Sequence, residues 1–134
     1  MAPRPLSDCF SVFDARMWNT RQAWSGISED RKTVVITLWQ DKIKILGDRL
    51  VFSTEVEGDL KVWKARLGHK WRMKHIRYAL DKCGGRFRAI LLFPEYKKGA
   101  KKTTKARYPQ ENIWWRITDF NDDTGEYTAE FVWR

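Results

Sequence analysis

The stretch from His69 to Phe93 changes its hydrophobic period in mid-course, and that switch constrains the fold more than any other feature. Over His69–Cys83, at about 100° per residue, Ile76, Ala79, Leu80 and Cys83 gather on one side and Lys70, Lys74, Arg77 and Asp81 on the other, which predicts a helix. Gly84 and Gly85 follow it. A glycine just past a helix takes positive φ without steric cost, so the helix stops there. Arg86–Phe93, RFRAILLF, then reads as a strand that ends at Pro94, which has no N–H for a central ladder.

Strand patterns recur on both sides of this unit. Thr33–Trp39, TVVITLW, is a β-branched run with the character of a buried strand. After the Gly47-Asp48 turn, Arg49–Glu57 alternates as a half-buried strand does, and Leu60–Arg66 fits strand or loop. Near the C-terminus, IWWRITDF and EYTAEFVW flank NDDTG, a hairpin signal in which Gly125 takes the left-handed position. Pairing about Asp123 sets Trp115 opposite Phe131 and Ile117 opposite Ala129 on the inner face. It sets Arg116 opposite Glu130, beside Trp114 and Val132, on the other. Residues 7–18 fit a short N-terminal helix capped by Ser7 or Asp8, with Phe10, Phe13 and Met17 on one side.

These elements predict one α+β domain over residues 1–134. The expectation is a strongly bent, mainly antiparallel sheet of five to six strands, or a small barrel, with one central helix packed on it and a short N-terminal helix. Residues 95–112, EYKKGAKKTTKARYPQEN, read as a mobile lysine-rich loop. At 134 residues and 43% hydrophobic, the chain has material for one core. Its eight Trp, seven Phe and four Tyr exceed what that core needs, which points to aromatic residues on a binding surface.

Cys9 and Cys83 are far apart and form no CxxC or Cys/His spacing, which argues against a zinc site and fits a reduced, cytoplasmic setting. The N-terminal MAPRPLSDCF lacks an apolar signal region, and no apolar run nears the roughly 20 residues that span a bilayer. No membrane partner is expected.

Charge is segregated along the chain. Between Lys61 and Arg107 there are sixteen Lys or Arg against two acids, Asp81 and Glu95, whereas the remainder is net acidic by five. Segregation of this kind points to a polyanion, nucleic acid first among them. The candidate phosphate contacts are Lys64, Arg66, Lys70, Arg72, Lys74, Arg77, Arg86 and Arg88 in and around the helix. The loop adds Lys97, Lys98, Lys101, Lys102, Lys105 and Arg107. The bland reading is a solvated helix face and a solubilising loop, but a solvating face mixes signs and here Asp81 is the lone acid.

Trp63 and Trp71 interleave with these cations, as in single-strand binders that stack bases. Trp71 lies at the margin of the helix's apolar side and reads first as core. Trp18, Trp24 and Trp39 could line a pocket for an extruded base.

Catalytic signals are sparse. Glu95-Tyr96-Lys97 after a strand resembles the ExK element of metal-dependent nucleases, making Glu95 and Lys97 the only catalytic candidates. Glu55, Glu57 and Asp59 are explained by strand alternation and a turn more simply than by a divalent ion. His69 and His75, six apart, share no helical face. No nucleotide-binding or nucleophile motif is present, and no cofactor is expected. Binding without catalysis is the leading reading. A small nuclease, or docking on an acidic protein or on a second copy of the chain, are the alternatives.

Gly47–Phe52, GDRLVF, is similar to the turn-strand entry of PUA-like domains, and Gly85–Ile90, GRFRAI, to their second strand entry. The resemblance is to the EVE and ASCH families, which bind RNA or modified DNA. It implies a closed β-barrel with an aromatic-lined pocket, and no binding residue is carried across from it.

Overall fold

The computed structural model describes residues 6–15, 25–53, 67–97 and 101–132. In chain order these form α1 (Leu6–Ser11), β1 (Ser25–Ile27), β2 (Val34–Trp39), a 3₁₀ turn (Gln40–Lys42), β3 (Ile43–Leu46) and β4 (Arg49–Ser53). There follow α2 (Leu67–Lys82), β5 (Arg86–Lys97), β6 (Lys101–Pro109), β7 (Trp114–Phe120) and β8 (Tyr127–Val132). The α+β class is as expected. The sheet is larger than expected, with eight strands.

The strands run β1-β2-β5-β7-β8-β4-β3, and β6 pairs with β5 off that path. The sheet is open, with β1 and β3 at its ends, so the barrel expectation is corrected. Its pairs are antiparallel except β2 with β5, where Val35–Trp39 run parallel to Arg88–Leu92. Beyond the expected strands lie β1, β3 and β6: three and four residues in the first two, a lysine-rich run in the third.

Pro94 does not end β5. The register shifts between Phe93 and Pro94, and the strand runs on to Lys97 with Lys101 opposite. A bulge accommodates a residue that has no N–H to give, which is how a proline lies inside this pairing. Residues 95–112 are thus mostly paired strand and not a loop. On the same side of β5, β7 takes over at Phe87 and Arg86, opposite Trp115 and Arg116.

Both faces of the β2–β5 pair are buried, which suits parallel strands written as continuous apolar runs. Toward α2 lie Val34, Ile36, Leu38, Phe87, Ala89 and Leu91, joined by Phe52, Trp115, Ile117, Tyr127 and Ala129 from the rest of the sheet. Toward α1 lie Val35 and Ile90, against Cys9, Phe10 and Ala15. The short α1 ends at Ser11, and Asp14 in the left-handed region (φ 56°) turns the chain back so that Ala15 bridges Ser28. Met17 of the expected longer helix lies outside the described residues.

The helix α2 spans the stretch its periodicity marks, and Gly84 and Gly85 follow it at φ 65° and 77°. Its buried stripe is Arg72, His75, Ile76 and Ala79, whereas Leu80, expected inside, is exposed and lies over Gly85. The C-terminal hairpin has the expected register away from the turn, where Trp115 faces Phe131, Arg116 faces Glu130 and Ile117 faces Ala129, but it shifts by one between Ile117 and Asp119, so that Asp119 faces Thr128. No helix among the described residues is long and apolar enough to cross a membrane.

Candidate functional site

Among the described residues of α2 the exposed side chains are Lys70, Trp71, Lys74, Arg77, Leu80, Asp81 and Lys82. Trp71 is exposed and not core: it borders His75, at 6.0 Å between ring centroids, and Lys74 Nζ sits 4.8 Å from its ring centre. Helical neighbours at i+3 and i+4 make both contacts. Arg77 pairs with Asp122 and lies over Phe120, 5.6 Å from the ring centre; the hydrogen bond to Asp122 raises its pKa. Part of this guanidinium's charge is therefore spent inside the molecule.

Arg72 departs most from expectation. It is buried at 2% exposure, with its guanidinium carbon 5.3 Å from the centre of the Tyr127 ring. Arg72 lies on the i, i+3, i+4, i+7 stripe with His75, Ile76 and Ala79, so helical geometry turns it inward. It is removed from the phosphate-contact set.

The hairpin of β5 and β6 places Lys97 opposite Lys101 and Tyr96 opposite Lys102. Lys105 is exposed. Arg107 stands opposite Leu92, whose side chain packs with the α1 cluster, so Arg107 belongs to the sheet face away from α2. The structure does not bring Arg107 together with the cations of α2. Glu95 is exposed, opposite Thr103. Among the described residues no three His, Cys, Asp or Glu gather to hold a metal ion. Trp18, Trp24, Glu55, Glu57, Asp59, Trp63, Lys64, Arg66 and Lys98 lie outside the described residues. Trp39, half-buried, is the described member of the proposed aromatic pocket.

A second cationic surface comes from strand register. Partners across a ladder share a face. Across five strands the outer face therefore reads Lys44, Val51, Glu130, Arg116, Arg86. Lys44, Arg116 and Arg86 are exposed, and no helix covers this part of the sheet among the described residues. Arg49 belongs to the same face and grips Glu130 with two hydrogen bonds, of 2.7 and 2.9 Å, which hold the Glu130 carboxyl below its usual pKa. Asp119, opposite Thr128, adds a negative charge toward the far end.

Two residue pairs along, on the same face, Trp114 stands opposite Val132. The Arg88 guanidinium carbon lies 3.7 Å from the Trp114 ring centre, a stacking distance. Arg88 Nη1 donates to Ile113 O at 2.8 Å, and partial burial lowers its pKa from an ordinary arginine value. Arg88 also lines an open cleft of about 440 Å³ with Phe13, Asp14, Asp30 and Glu111. Asp30 accepts from Ser28 Oγ at 2.6 Å and from the Lys32 amide at 3.0 Å, which pulls its pKa down.

Sequence reasoning named Arg86 and Arg88 here but not Lys44, Arg49, Trp114 or Arg116. The signal was available in the C-terminal hairpin, whose register sets Arg116 and Trp114 on one outward face. What the hairpin pattern alone lacks is the neighbour on its open side, because β5 reaches β7 only through the long-range pairing of Arg86 with Arg116. No protein-family model, curated protein or solved structure matches the chain.

Proposed function

We propose that the protein binds nucleic acid, chiefly through phosphates, using two cationic surfaces on opposite sides of the sheet, the exposed cations of α2 and those of the open sheet face. The observation that carries this reading is the cross-strand pairing of Arg86 with Arg116. Like charges placed directly opposite destabilise a ladder by a few tenths of a kcal/mol. A phosphate bridging the two guanidiniums turns that repulsion into charge-assisted hydrogen bonding.

Lysines on α2 suit backbone contact, being flexible point charges, and Lys70 and Lys74 flank an exposed Trp71. The reading is tested by salt titration of DNA and RNA binding. Log affinity falls linearly with log salt, by about 0.7 to 0.9 of slope per phosphate contact. Reversal of Lys70, Lys74 and Arg77 to Glu flattens the slope, and further reversal of Arg86 and Arg116 abolishes binding. Binding that survives all five reversals in a folded protein overturns the reading.

A further inference from the structure

Resting on the nucleic-acid reading, we infer that the open sheet face is built for a single strand, with one unstacked base laid on the Arg88 guanidinium and its neighbouring phosphates on Arg86 and Arg116. The platform is assembled before any ligand arrives. Trp114 is fixed by its place in the β7–β8 ladder, Arg88 by its place in β5, by its stack on Trp114 and by the hydrogen bond to Ile113 O. A guanidinium held flat this way loses little freedom on binding. Trp114 covers one side of its plane, and Arg88 lines the cleft beside α1.

Charge sorts the two ends of a nucleotide. Asp14, Asp30 and Glu111 in the cleft repel phosphate and accept hydrogen bonds from base N–H groups, whereas Arg86 and Arg116 outside it attract phosphate. Arg86 and Arg116 lie two residues from Arg88 and Trp114 along their strands, about 7 Å away and on the same face, within reach of a single nucleotide. A duplex presents phosphates to the same cations, but its stacked bases hide the faces this platform contacts. The preference for a single strand follows from that difference.

The test is fluorescence anisotropy with a labelled oligonucleotide, single-stranded and annealed to its complement, on the full chain and on Arg88→Lys, Trp114→Leu and Arg86→Gln/Arg116→Gln. The single strand is expected to bind the full chain more tightly than the duplex. Arg88→Lys, which keeps the charge and removes the plane, costs roughly tenfold on the single strand with an unchanged salt slope, and leaves the duplex unaffected. Trp114→Leu does the same, and where it disturbs β7 by circular dichroism the Arg88→Lys result decides. Arg86→Gln/Arg116→Gln lowers the salt slope for both forms. Equal binding of the two forms, or an Arg88→Lys protein with its preference intact, overturns the inference while nucleic-acid binding stands. Failure of both oligonucleotides to bind at low salt overturns the functional reading itself.

Discussion

Ser25 Oγ and His75 Nδ1 lie 2.6 Å apart, both residues buried, and this hydrogen bond ties the middle of α2 to β1 at the end of the sheet. It is a long-range link between a three-residue strand and a sixteen-residue helix. Burial holds the imidazole neutral, with a pKa lowered to about 4, and the neighbouring Lys74 charge pushes it the same way.

Stability therefore depends on acid in a defined window. The unfolded chain takes up the proton near pH 6.5, the folded one only near pH 4, so this contribution is complete above about 6.5 and is lost as pH falls toward 4. The loss is up to about 3 kcal/mol. Urea unfolding from pH 7.5 to 4 measures it, and His75→Gln flattens the profile through that window.

Gly85→Ala is destabilising through its backbone conformation. Gly85 has φ 77°, where a Cβ costs about 1–2 kcal/mol, and an added Cβ meets Leu80 Cδ2 at 3.6 Å, an ordinary contact. Strain and not crowding sets the cost, so Leu80→Ala in the same protein does not rescue it. Thermal unfolding of the single and double variants separates the two causes.

Trp115→Ala removes one of the largest fully buried side chains, its edge-on contact with Phe131 and its Nε1 hydrogen bond to Gln110 Oε1. About 3–5 kcal/mol is the expected loss, read from the urea midpoint. Trp114→Leu, on the opposite face of the same strand, costs far less.

Arg72 separates folding from binding. Arg72→Ala strips a buried stem and guanidinium from the Tyr127 ring and costs about 2 kcal/mol or more. In the folded Arg72→Met protein the salt slope for nucleic acid stays at its original value. A lower slope would return Arg72 to the phosphate-contact set.

Much of the fold was legible where a local pattern was strong. The α2 periodicity, its Gly84-Gly85 stop and the register of Trp115 with Phe131 all follow from short-range rules and hold. The short strands β1 and β3 were not legible, since three or four residues show no period, and Ser25 and Gly26 lack β-propensity. β6 was hidden by its lysines, which read as loop but pair with β5 because that strand has an open side. At the candidate site the helix cations were legible as a group. The burial of Arg72 was not, because it depends on where α2 meets Tyr127. The outer-face row was half visible, since the pairing of Arg86 with Arg116 joins segments far apart in the chain.

The parallel pairing of Val35–Trp39 with Arg88–Leu92 also sets an order of events during synthesis. When β2 leaves the ribosome, the strand that shields its apolar residues has not been made, and everything from β3 through α2 must emerge first. Closing so wide a loop before any reward is slow, which places folding nearer the millisecond-to-second range of non-local topologies than the microseconds of helical bundles. Until β5 arrives, Val34–Leu38 is an exposed apolar segment, and that interval is when the nascent chain is most exposed to aggregation.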